Sequence, residues 1–146
     1  MRRLRLLRIQ DVTHLCKHLG SSPNELAHLC LKPEWYYRQG PRRIKGKTRH
    51  IATPEGRLRQ ILDRLQALLQ RVVLPESIHG GVKGHSPRTN AVVHLRKPVV
   101  LCMDIKDFFP SITNRRVYAM FRETLKCAPD VARILTRLCT LNGSLP

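Results

Sequence analysis

Five consecutive apolar residues, Val99-Val100-Leu101-Cys102-Met103, stand between Pro98 and Asp104. The run is bounded like a short strand, and its unbroken apolarity is that of a strand buried on both faces. Such a strand needs a sheet with helices over it, so it restricts the chain to folds that combine both. Helical material is present. Leu58, Ile61, Leu62, Leu65, Leu68, Leu69 and Val72 keep helical spacing, with Arg57, Arg59, Arg64, Gln66 and Gln70 between them. Residues 117–125 and 131–141 read as two further helices separated by Ala128-Pro129-Asp130, and Gly143 marks the end of the last.

Nearer the start, Leu4, Leu7, Leu15 and Leu19 fall near helical spacing behind a cluster of Arg2, Arg3, Arg5 and Arg8, the pattern of one or two basic amphipathic helices. Ser22-Pro23-Asn24-Glu25 has the form of a helix start: a serine cap, proline at the first helical position and glutamate three residues after the cap. That helix runs to about Leu31 and Pro33 ends it. Trp35, Tyr36 and Tyr37 precede Gly40-Pro41, where a turn is expected. The three aromatics suit either a core or a platform for unpaired bases. Residues 42–49 are almost all basic, and Gly46 divides them as the tip of a hairpin whose second strand is His50-Ile51-Ala52. A glycine-rich stretch covers residues 79–87, and Thr89 is the expected cap of a short helix to Leu95.

Charge narrows the function. Lys and Arg number 27 against 10 Asp and Glu, a formal net charge of +17. So large an excess raises self-repulsion in the compact state unless an anionic partner offsets it, which favours nucleic acid over a merely solvated surface. The five cysteines, Cys16, Cys30, Cys102, Cys127 and Cys139, are scattered and contain no CxxC pair, as expected of buried thiols in a reducing cytoplasm. No apolar stretch approaches the ~20 residues of a membrane span, so no membrane partner is expected.

The chemistry concentrates at Asp104-Ile105-Lys106-Asp107-Phe108-Phe109-Pro110-Ser111-Ile112. A carboxylate leaving a buried strand is costly unless it is paired or binds a metal. Two readings stand at this point: Asp104 caps a turn while Asp107 pairs with a neighbouring cation, or the carboxylates serve a metal. The string VVLCMDIKDFFPSIT resembles the first palm motif of bacterial reverse transcriptases, especially those of retrons and the related group II introns. Upstream, HGGVKGHSPRTNAVVH resembles the block that precedes that strand in the same family, and TRHIATPEGRLRQILDRLQ resembles its fingers segment. Three motifs in order are far more specific than one.

The resemblance implies an α+β right-hand polymerase fold: a helical amino-terminal extension over residues 1–40, a fingers region over 41–98 and the start of a palm over 99–146. It implies that Asp104 is the catalytic carboxylate and a ligand of two Mg²⁺ ions, with the Ile105 carbonyl a second contact. Lys47, Arg49, Lys106, Asp107 and Phe108 would lie around the incoming deoxynucleoside triphosphate, and Phe109 would exclude a ribose 2′-OH. Arg42, Arg43, Lys45, Lys83 and Arg88 would meet the RNA template or DNA primer. His79, Gly80, Gly84, Ser86 and Asn90 would shape the loop beneath the palm strand. The partners implied are template and primer, deoxynucleotides and a cognate structured non-coding RNA; the roles open to such a protein include phage defence and intron mobility.

In that family a Q-G segment, a Y-x-D-D hairpin with the remaining aspartates and a thumb should follow Pro146. The chain is therefore expected to have no polymerase activity alone and to be poorly folded at its carboxyl end. The rival reading is a non-catalytic module that grips structured RNA, with Asp104 incidental.

Overall fold

The computed structural model describes residues 7–44 and 46–146, together with the backbone but not the side chain of Lys47. Lys45, and the arginines expected to open the first helix at positions 2, 3 and 5, lie outside it. Among the described residues the elements run α1 Val12–Leu19, α2 Pro23–Leu31, a 3₁₀ turn Pro33–Tyr36, β1 Tyr37–Ile44, β2 Lys47–Pro54 and α3 Gly56–Leu69. Then follow α4 Pro87–Val92, α5 Phe108–Ser111, α6 Asn114–Ala119 with a π turn at Met120–Thr124, and α7 Pro129–Cys139.

The core is helical and draws on both ends of the described chain. Leu15 and Leu19 of α1, Leu26 and Leu29 of α2, Leu58, Ile61 and Leu65 of α3, and Val131, Leu135 and Leu138 of α7 are buried in one cluster with Phe121. The heptad-like leucines of α3 face it as their spacing requires. The carboxyl-terminal helix α7 is packed, whereas residues 99–103, on which the expectation of a poorly folded end rested, lie exposed. Residues 7–10, ahead of α1, are not helical: Asp11 is the cap, its Oδ1 accepting from the His14 amide at 2.7 Å. Residues 8 and 9 are stitched to the far end, with Arg8 N–H donating to Leu125 O (3.1 Å) and Ala128 N–H to Ile9 O (2.9 Å).

Where α1, α2 and α3 meet, polar groups complete the joint. Gly20 ends α1 with φ +58°, and a side chain there would overlap the Arg64 guanidinium, whose Nη1 donates to Leu19 O at 2.8 Å. Arg57 donates from Nε to Glu25 Oε1 (2.6 Å) and from Nη2 to Gly20 O (2.7 Å). The bond from Arg57, and then the one from Ser21, hold the Glu25 carboxyl at about 2. A depressed carboxylate stabilises the fold above its ordinary value of 4.5, and that contribution fades as pH falls toward about 2. The pair is about one-third exposed, so solvent screening keeps this contribution small. Glu25→Gln should flatten the pH dependence of urea unfolding between those two values and leave it unchanged at neutral pH. An unaltered acid limb would place the titration elsewhere.

Two further expectations are corrected. Gly40-Pro41 is not a turn but the middle of β1, where Gly40 faces Ile51 and Pro41 faces His50. In a sheet of two strands each is an edge, so the missing proline N–H can point outward at no cost to the ladder. Residues 99–103 form no strand: Val99, Leu101 and Met103 are exposed in irregular backbone. A doubly covered strand needs neighbours for its hydrogen bonds, and no described residue supplies one. Exposure extends over almost all of residues 73–111.

Candidate active site and nucleic-acid interface

Asp104 lies in exposed coil just before α5, a single turn in which Ser111 N–H donates to Asp107 O at 2.9 Å and the Ser111 hydroxyl to Phe108 O at 2.8 Å. Asp107 takes the cap position with φ +50°, yet its side chain makes no capping bond. Neither carboxylate enters an ion pair among the described residues, whose three pairs are Arg38–Glu55, Arg57–Glu25 and Arg59–Asp63. Phe108 and Phe109 meet edge to face, centroids 5.5 Å apart, while both remain about half exposed. Downstream the segment is anchored: Leu145 N–H donates to Ile112 O at 3.0 Å and Asn114 N–H to Gly143 O at 2.8 Å.

The donor set does not complete a metal centre. Among the described residues no three His, Cys, Asp or Glu side chains converge on a point, whereas two divalent ions ~3.5–4 Å apart need several oxygen ligands. Asp104 and the Ile105 carbonyl supply part of such a set and no more.

On the hairpin, register settles which cations meet. Arg42 stands opposite Arg49, Arg43 opposite Thr48 and Ile44 opposite Lys47. Like charges directly across an antiparallel pair repel, so the Arg42–Arg49 position is one that a bound anion would relieve. Alternation places Arg38, Gly40 and Arg42 on the face away from buried Tyr37. An open hollow of about 380 Å³ lies there, lined by Arg38, Gly40, Arg42, Ile51 and Thr53. Arg38 was not among the residues expected from sequence; stepping back four residues, two strand periods, from Arg42 would have found it.

The glycine-rich loop carries local hydrogen bonds, but the strand it was expected to underlie is not formed. His79 Nδ1 lies 3.1 Å from Thr89 Oγ1 and 3.0 Å from His85 Nδ1. Ser86, not Thr89, caps α4, because its hydroxyl accepts the Thr89 amide while the Thr89 hydroxyl accepts the Ser86 amide. Lys83 borders a separate hollow of about 400 Å³ between residues 69 and 85, and Arg88 is exposed on α4. No hydrogen bond or ion pair joins the hairpin cations, this loop and Asp104 among the described residues.

Comparison with known proteins decides the family. The chain is 36% identical over 101 residues to the Retron Se72 reverse transcriptase of Salmonella heidelberg, a stretch covering 68% of this chain and 27% of that protein. By sequence, the chain belongs with the retron reverse transcriptases. It is 41% identical over 73 residues to the Retron Mx65 reverse transcriptase of Myxococcus xanthus, covering 49% of the chain and 17% of the relative. To the Retron Ec86 reverse transcriptase of Escherichia coli it is 35% identical over 89 residues, covering 61% and 25%. The chain thus spans about a quarter or less of the length of these retron relatives. No family model matches it. Among the described residues no helix is long and apolar enough to cross a membrane.

Proposed function

We propose that this chain supplies the fingers and the first catalytic aspartate of an RNA-directed DNA polymerase of the retron type. The kinship with retron reverse transcriptases carries the reading, and the Asp104–Ile112 string is where its chemistry lies. In this proposal Asp104 and the Ile105 carbonyl are two of the ligands for Mg²⁺, which when bound would stabilise the charge that develops in phosphoryl transfer. The further carboxylates come from segments beyond these residues. Lys47, Arg49 and Lys106 neutralise the incoming triphosphate, Asp107 and Phe108 border it, and Phe109 screens the sugar. Arg42, Arg43, Lys45, Lys83 and Arg88 bind template or primer.

Exposure favours this assignment over an incidental aspartate. Asp104, Lys106, Phe108 and Phe109 make no contribution to the core, so their residue types are not explained by folding. The test is RNA-templated primer extension with deoxynucleotides and Mg²⁺, using the 146-residue chain alone and mixed with a separately expressed retron palm and thumb. Extension only in the mixture is expected. Activity of the chain alone would overturn the division of the site, and an inert mixture beside an active intact control would overturn the polymerase reading.

RNA binding itself should be strongly salt-dependent. Residues 37–54 carry six Lys or Arg and no acid, and each neutralised phosphate steepens the log–log salt slope by about 0.7–0.9. A titration from 50 to 200 mM salt should therefore weaken binding at least tenfold; a flat response would remove the electrostatic interface.

A further inference from the structure

Trp35 is the one tryptophan of the chain, and it is 67% exposed in the 3₁₀ turn that leads into β1. A large indole left in water needs a reason, because tryptophan is ordinarily well covered. Its neighbour Tyr37 is buried and does the packing for this segment. Lys32 sets its Nζ 4.4 Å from the centre of the Trp35 ring. With that much exposure the indole cannot be covered on both faces, so a flat surface stays open beside a cation. Three residues on, Arg38 begins the outward face of the hairpin, followed by the hollow over Gly40 and by Arg42.

We propose that Trp35 stacks on an unpaired base of a single-stranded RNA whose phosphates then follow Lys32, Arg38 and Arg42 along that face. Charge selects this occupant over an apolar protein surface: Lys32 lies against the ring, and although Glu34 precedes it and Glu55 follows the hairpin, residues 37–54 between them hold six Lys or Arg and no acid. An aromatic ring next to a basic groove is the arrangement that grips single strands without regard to sequence, since every base offers a flat face. Gly40 suits the path, because a side chain built there would meet nothing and the space is free for backbone or sugar. Arg38, now on Glu55 at 3.0 Å, is 75% exposed and can be shared with a phosphate at little cost. The inference rests on the RNA-binding part of the proposed function and adds a residue and a mode of contact to it.

Because no other tryptophan is present, emission of the 146-residue chain reports on this ring alone. Titration with a labelled, unstructured RNA oligonucleotide should quench and shift that emission in step with the rise in anisotropy. Heparin, a polyanion without bases, should bind the hairpin and leave the emission unchanged. Trp35→Ala should weaken RNA binding roughly 5- to 150-fold and leave heparin binding intact, and Trp35→Phe should recover part of the loss. RNA that binds with unchanged emission, and equally well to Trp35→Ala, would overturn the stacking site while leaving RNA binding in place. Absence of any RNA binding by the unmodified chain would overturn both.

Discussion

In the assembly of this chain with a retron palm and thumb, Asp104→Asn is expected to suppress DNA synthesis by about a thousandfold or more. The amide keeps the volume and removes the charge, and metal-borne stabilisation of phosphoryl transfer amounts to several kcal/mol, each 1.36 of which is tenfold in rate. The structure makes the test clean. Asp104 is exposed and forms no ion pair with the described residues, so the substitution should not alter the thermal midpoint or the affinity for RNA. Synthesis at an undiminished rate would show the residue to be a loop aspartate with no part in the reaction.

The largest effect on folding should come from the other end of the same region. Phe121 is fully buried in the π turn that follows α6. Phe121→Ala should cost about 3–5 kcal/mol through lost burial and the cavity left behind, a large share of the 5–15 kcal/mol typical of a domain. Phe109→Ala, at a ring 58% exposed, should change stability by less than about 0.5 kcal/mol. Urea unfolding followed by circular dichroism separates the two; equal midpoints for both variants would contradict the packing described for Phe121.

Residues whose meaning is local were legible in the sequence. Ser22 caps α2 through the Glu25 amide, and α3 buries Leu58, Ile61 and Leu65, because a cap and a helical stripe depend on near neighbours. Gly46 lies in the hairpin loop for the same reason. The apolar run at 99–103 misled because burial is a property of what surrounds a segment, and the covering layers are not among these residues. Gly40-Pro41 misled because a proline in an edge strand is indistinguishable in sequence from one in a turn. The aromatic cluster divided: Tyr37 went to the core and Trp35 to the surface, a choice made by the 3₁₀ turn and strand that carry them. For the candidate site, the motif suggested the residues but could not say that Asp104 and Asp107 would lie exposed with no ion-pair partner among the described residues.

The helical core also sets a timetable. The leucines of α1 and α2 are covered in part by α7, which begins at Pro129, whereas α2 ends at Leu31. A ribosome adding about 5–20 residues per second needs roughly 5–20 s to make the stretch between them. During that interval Leu26, Leu29 and Cys30 have only part of their final covering, while a chain already rich in cations grows beside ribosomal RNA. The nascent protein must therefore pass through a stage in which its sticky face and its charge are both available, and how quickly α7 arrives decides how long that exposure lasts.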